Sequence, residues 1–182
     1  SRTMLTKVPE ELTDYRQAAF CALGGIALEG IHQAEVVPGE TVAVIGMGLV
    51  GQIVCRILNA YGCDVIGYDV VDKTMPGTRL KAFINSGDDN AADMTKALTR
   101  GRGVDKVIIT AATNSNAPMD LAAAIARDRG IICMIGVTQM NIDRRPYYER
   151  ELSFRIARSY GAGRYDSTYE QKGIDYPIGY VR

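Results

Sequence analysis

Short unbroken apolar runs alternate along this chain with longer stretches whose apolar positions recur at helical spacing. The runs at 41–45 ("TVAVI"), 64–69 ("DVIGYD"), 106–111 ("KVIITA") and 131–135 ("IICMI") predict strands. Helical spacing predicts helices over 15–32, 49–61, 78–85, 91–100 and 117–127, the first interrupted by Gly24, Gly25 and Gly30. Pro9-Glu10-Glu11 has the character of an acidic first helical turn, and "VVPGE" at 36–40 is a turn that delivers the chain into the first strand. A third strand is the weakest element, at best a very short one inside "FINSGDD" at 83–89. Because each run carries continuous Val/Ile positions and helical stretches separate them, both faces of the strands are expected to be covered. That predicts a doubly wound α/β fold, a parallel sheet with helices on both faces.

The last stretch breaks the pattern. Five of the ten tyrosines fall between 160 and 180, with neither helical nor alternating periodicity. The chain then stops at Arg182 without a stop signal, so a piece of a longer protein is expected.

Composition narrows the partners. The 182 residues are 47% hydrophobic and 23% charged, and 21 basic residues balance 21 acidic ones. A balanced chain whose basic clusters are as short as Arg144-Arg145 offers no track for nucleic acid. No run approaches the roughly 20 apolar residues of a membrane span, and "SRTMLTKVPEEL" has no apolar signal core, so a cytoplasmic location is expected. Cys21, Cys55, Cys63 and Cys133 match neither a CxxC metal site nor a disulfide framework, and read as reduced, mostly buried thiols. His32, the single histidine, sits where a helix ends and suits a C-terminal cation better than a general base.

The chemistry concentrates in "VAVIGMGLVGQIV" at 42–54. Its Gly46, Gly48 and Gly51 form GxGxxG between a predicted strand and a predicted helix, and Asp69 ends the next strand eighteen positions later. Gly46 permits the tight turn, Gly48 lets a diphosphate approach the backbone, and Gly51 lets helix and strand pack closely. The helix N-terminus would receive the diphosphate at roughly 0.3–1 kcal/mol per favourable charge contact. Asp69 can accept from the ribose hydroxyls of NAD. The extra phosphate of NADP would face that carboxylate at a cost of up to about 4 kcal/mol before screening, more than the roughly 0.5–1.5 kcal/mol of one lost hydrogen bond. NAD is therefore favoured over NADP, although Lys73 and Arg79 lie nearby in sequence and could meet a phosphate. Rossmann-type methyltransferases compete for the acid but usually lack the third glycine. Short-chain dehydrogenases would need a Tyr-xxx-Lys pair, which none of Tyr160, Tyr165 and Tyr169 begins.

Several stretches, "VPEELTDYRQAAF", "CALGGIALEGI", "VVPGETVAVIGMGLVG", "GVDKVIITAAT" and "RGIICMIGV", together resemble the cofactor domain of the medium-chain, zinc-alcohol-dehydrogenase-like dehydrogenase/reductase superfamily over most of 8–158. The tail resembles bacterial bi-domain oxidoreductases. The resemblance implies a Rossmann fold with strand order 3-2-1-4-5-6. It implies that Gly46, Met47, Gly48, Leu49, Val50 and Gly51 form the diphosphate turn, Asp69 and Val70 meet the ribose, and Lys73 flanks the adenosine. Ala111, Ala112 and Thr113, with Gly136, Val137 and Thr138, are implied to line the nicotinamide ribose and carboxamide. It further implies an entry segment at 1–15 from a missing catalytic domain, a dinucleotide-binding domain at 16–158, a Tyr-rich tail at 159–182 returning toward that domain, and pairing of two copies through a sixth strand at 152–158.

The one zinc-ligand position of the resemblance within this segment holds Leu23, with Cys21 two places earlier, so neither zinc nor a catalytic residue is assigned to this chain. The expected parent activity is hydride transfer between nicotinamide and an alcohol or carbonyl substrate, with a sugar derivative as the guess, and the chain alone is expected to be inactive. A non-catalytic dinucleotide-binding or structural module shares every feature from 42 to 69 and stands as the alternative.

Overall fold

The computed structural model describes residue 5 and residues 7–175, so Tyr176 and Tyr180 of the tail lie outside the described residues. Six parallel strands form one sheet in the order β3-β2-β1-β4-β5-β6. They are β1 (Thr41–Ile45), β2 (Asp64–Asp69), β3 (Ala82–Asn85), β4 (Val104–Ile109), β5 (Ala126–Met134) and β6 (Ser153–Ile156), with β6 at the edge where the resemblance places pairing of copies. The helices are α1 (Tyr15–Ala18), α2 (Cys21–Gln33), α3 (Leu49–Ala60), α4 (Ala91–Leu98), α5 (Ala117–Ile125), α6 (Arg144–Glu149) and α7 (Ser167–Glu170).

Two apolar layers sandwich the sheet. Ala43 and Ile45 of β1 point into the layer that holds Met119 and Ile125 of α5, whereas Val42 and Val44 point into the layer that holds Ile31 of α2 and Val54 and Leu58 of α3. Successive strand residues face opposite ways, so burial on both sides requires an unbroken apolar run. Among the described residues no helix is long and apolar enough to cross a membrane.

The expected helix at 78–85 is absent; its second half, 82–85, becomes β3. Gly77 turns the chain at φ 84°. The Asn59 carboxamide then takes both backbone groups of Arg79, accepting from its N–H and donating to its carbonyl, each at 2.9 Å. Both backbone groups of residue 79 are thereby tied to α3 ahead of the strand. Lys81 N–H donates to the Val65 carbonyl at 2.7 Å and leads into the parallel pairing of β2 with β3.

Other boundaries shift. The helix expected over 15–32 is two helices, because Asp14 caps a single turn that closes by i→i+3 bonding of Phe20 N–H to the Gln17 carbonyl. The strand expected at 106–111 is 104–109. The helix expected to reach 127 ends at Ile125, where β5 begins five residues ahead of expectation. Arg150 accounts for that end: its guanidinium donates to the Ala123 carbonyl and, at 2.7 Å, to the Ala126 carbonyl, and so caps α5. In the tail, Asp166 caps the one-turn α7 and Glu170 accepts from both Tyr160 and Arg164, so a stretch without periodicity is organised by side-chain bonds.

At the opposite end of the sheet from the strand C-termini, Asp105 joins three strands. It accepts from Thr41 N–H at 2.8 Å and from Arg127 Nε at 2.6 Å. Burial pushes its pKa up, but Arg127 and the Thr41 N–H more than offset this and hold it below the usual carboxylate range. A lowered folded pKa stabilises above the unfolded value of about 3.9, and that contribution is lost as pH falls through the folded value. Urea midpoints should therefore stay level from neutral pH to about 5 and drop below about 4. Asp105→Asn should lower the neutral-pH stability by about 1.5–3 kcal/mol and flatten the acid limb.

Candidate functional site

β1 and β4 are neighbours, yet the chain leaves them in opposite directions across the sheet, which opens a crevice beyond their C-terminal ends. The glycine turn sits there because β1 ends at Ile45 and α3 starts at Leu49. Gly46 has φ 104°, and a Cβ on it would come within 2.5 Å of the Ala111 nitrogen. At Gly51 a Cβ would overlap the Gly46 carbonyl oxygen and sit 2.8 Å from Thr110 Oγ1. Gly48 differs from both, since it is exposed, has ordinary φ of −75°, and a Cβ there would meet no protein atom within 4 Å. Two glycines thus serve packing, while the third leaves open space at the N-terminus of α3, which has no side-chain cap. Such a cradle fits the diphosphate of a dinucleotide.

A cavity of about 560 Å³ opens at this turn. Of the residues expected from sequence, Gly46, Gly48, Asp69, Val70, Lys73, Ala111, Ala112 and Thr113 line it. Met47, Leu49, Val50 and Gly51 lie in or beside the turn without lining it: the Met47 side chain is buried in the core against Cys55, and Leu49 is half-exposed. Gly136, Val137 and Thr138 stand one step further out. Val137 N–H donates to the Ala111 carbonyl and Thr113 N–H to the Val137 carbonyl, so this segment buttresses the Ala111–Thr113 wall. Arg79 is held through its backbone by α3 and does not line the cavity.

Asp69 is tied to the turn itself. Its Oδ2 accepts from Met47 N–H at 2.8 Å, and its Oδ1 accepts from Val70 N–H at 2.8 Å and Lys73 Nζ at 3.2 Å. Burial pushes the carboxyl pKa up, but the Met47 N–H and Lys73 outweigh it and keep the group below the usual carboxylate range. A carboxylate has about four acceptor positions, so Oδ2 retains room for a ligand hydroxyl.

Sequence reading missed several residues here. Ser86 and Gly87 after β3, and Ser115, Ala117, Pro118 and Leu121 around the start of α5, complete the cavity wall. Thr110 donates from Oγ1 to the Gly46 carbonyl at 2.6 Å and holds the turn against β4. Gln52, only 3% exposed, bonds both the turn and the segment after β2. The position of Gln52 directly after the third glycine, with Arg56 and Asn59 at i+4 and i+7 on the same helix face, was the available signal.

A separate open cleft of about 650 Å³ runs between α2 and the residues after β6, with His32 and Tyr160 on its walls. His32 is exposed in the last turn of α2. The tail aromatics engage their own segment: Arg164 lies 4.2 Å above the Tyr165 ring, and Tyr160 donates to Glu170 at 2.5 Å. Cys55, Cys63 and Cys133 are buried and Cys21 is exposed; burial pushes the Cys55 and Cys133 thiols up to about 12. Among the described residues no three His, Cys, Asp or Glu side chains converge on one point.

Comparison with known proteins places this geometry in a family. The family model described as zinc-binding dehydrogenase matches residues 50–175. Sorbitol dehydrogenase of Bacillus subtilis is 28% identical over 177 residues, covering 93% of this chain and 47% of that protein. A probable D-xylulose reductase A of Emericella nidulans is 27% identical over 169 residues, covering 87% and 46%. The chain thus spans about half the length of the curated relatives it matches. Among solved structures, galactitol-1-phosphate dehydrogenase from Escherichia coli superimposes with a TM-score of 0.76 at 18% identity, over 87% of this chain and 48% of that one, a likeness of fold. On the match over more than half its length, together with the sheet order and the glycine turn, the chain belongs to the zinc-binding dehydrogenase family of the medium-chain dehydrogenase/reductase superfamily.

Proposed function

We propose that this chain is the dinucleotide-binding portion of an oxidoreductase that acts on alcohols or sugar alcohols, with NAD preferred over NADP. The observation that carries the reading is the placement of Asp69: its carboxylate is bonded to the glycine turn and to Lys73 on the wall of a 560 Å³ cavity. The polyol and keto-sugar names of the two curated relatives support the substrate class.

When bound, a nicotinamide supplies or accepts a hydride at C4. The chain's own part is to bind and orient. The uncapped N-terminus of α3 takes the diphosphate at Gly48, with its aligned peptide dipoles favouring negative charge. Asp69 and Lys73, paired at the cavity wall, would hold the ribose, the carboxylate as acceptor and the ammonium group as donor. Backbone groups of the Ala111–Thr113 wall, held in place by Val137, would hold the nicotinamide end. No acid or base is assigned to this half, so proton transfer and turnover belong to the part of the relatives' length that this chain does not span.

Calorimetric titration of the chain with NADH and NADPH tests the reading. The expected result is saturable binding of one dinucleotide per chain, with NADH at least about tenfold tighter, equivalent to about 1.4 kcal/mol. Absence of binding by either dinucleotide would overturn the proposal, and tighter NADPH binding would overturn the preference.

A further inference from the structure

We propose that Gln52 is a positioning residue that clamps the segment 70–79 to the glycine turn and so sets where Lys73 stands at the cofactor cavity. The proposal rests on the dinucleotide reading above. Its evidence is a buried carboxamide whose hydrogen-bonding capacity is fully used. Nε2 donates to the Met47 carbonyl at 3.2 Å and to the Lys73 carbonyl at 2.9 Å. Oε1 accepts from Thr78 Oγ1 at 3.1 Å and from Met75 N–H at 3.4 Å. An amide has two donor hydrogens and two acceptor lone pairs, so none is left over. The orientation of the amide follows from its partners: exchanging oxygen and nitrogen would set the oxygen against two carbonyls and the NH2 group against an N–H.

The partners lie on both sides of a gap in sequence. Met47 belongs to the turn, whereas Lys73, Met75 and Thr78 belong to the loop that leaves β2 after Asp69. Gln52 therefore connects directly the two segments between which a dinucleotide would lie. Two other α3 residues support the grip. Gln52, Arg56 and Asn59 follow one another at i, i+4 and i+7 and share a helix face. Arg56 donates to the Pro76 carbonyl at 2.7 Å, and Asn59 holds both backbone groups of Arg79. Those two act at the exposed surface. Gln52 alone of the three is buried and reaches the turn.

The consequence concerns Lys73. Its ammonium group, half-exposed, pairs with Asp69 Oδ1 at 3.2 Å, and its backbone carbonyl is the atom that Gln52 holds. A lysine fixed in this way stays beside the carboxylate and contributes to a site shaped for two ribose hydroxyls. A loop released from the clamp could swing its lysine toward a phosphate instead. Discrimination between NADH and NADPH should therefore depend on a residue that does not line the cavity.

Gln52→Met keeps the side-chain volume and removes all four bonds. Amide hydrogen exchange of the chain should accelerate at least tenfold across 70–79 while the β4 and β5 amides keep their protection. In the same variant the NADH Kd should rise about tenfold and the NADPH Kd less, which narrows their ratio at least threefold. General destabilisation would instead speed exchange throughout and weaken both dinucleotides alike, and that result overturns the proposal, as does unchanged exchange at 70–79. Thr78→Val removes one partner from the loop side and should shift exchange and ratio in the same direction by a smaller factor; it decides the matter if Gln52→Met does not fold. If the parent chain binds neither dinucleotide, the cofactor reading falls. Accelerated exchange confined to 70–79 would then still support the clamp, and its absence would overturn it.

Discussion

Gly51→Ala is expected to destabilise the chain by about 3 kcal/mol, at the upper end of the overpacking range, which lowers the melting temperature of a domain this size by roughly 6–12 °C. The methyl carbon would overlap the Gly46 carbonyl oxygen and press on Thr110 Oγ1. Neither can retreat easily, because the Gly46 carbonyl already accepts from that same hydroxyl and Gly46 N–H is bonded to the Tyr68 carbonyl. Gly48→Ala, three residues earlier in the same motif, is the contrasting experiment. Its backbone angles suit alanine and its Cβ meets no protein atom, so stability should stay within about 0.5 kcal/mol. Dinucleotide affinity should nonetheless fall about tenfold or more, a loss of at least about 1.4 kcal/mol, because the methyl group would enter the space assigned to the diphosphate. Thermal melts and titrations of the two variants separate packing from binding. A Gly48→Ala chain that binds NADH as tightly as the parent would remove the diphosphate from this turn.

Asp69→Ala should produce the largest change in selectivity. Loss of hydrogen bonds from a charged acceptor, about 1.5–3 kcal/mol, corresponds to roughly 10–150-fold weaker NADH binding. NADPH should lose less, since the like-charge repulsion disappears along with the carboxylate, and the two affinities should converge. The same substitution strands Met47 N–H and Lys73, so part of the effect will be loosening of the turn. Asp69→Asn divides the contributions, because it can still accept from Met47 N–H but carries no charge. If Asp69→Asn keeps full NADH preference, charge is not the basis of discrimination.

The residues of the turn were legible in sequence because their constraints are local. Gly46 must take a left-handed turn directly after a strand, and Gly51 must pack a helix against that strand, so both appear at set offsets. Asp69 was legible for a related reason, as the acid that ends the next strand. The 78–85 segment was misread because its apolar spacing suits either state, and the choice was made by partners distant in sequence: Asn59 of α3 holds residue 79, and β2 pairs with 82–85. The start of β5 was displaced likewise by Arg150, whose guanidinium caps α5 from beyond the strand.

The layered α/β class, the central strands and the glycine turn with its acid follow from the order of residues alone, since an apolar run or a glycine reports how its own backbone position is packed. Tertiary structure alone decided that Asp69 is bonded to the turn, that Lys73 is held by its carbonyl, and that a buried glutamine links them. Those outcomes depend on which polar atom meets which across a fold. Hydrophobic periodicity records how deeply a residue is buried and carries no information about the partner its hydrogen bonds will find.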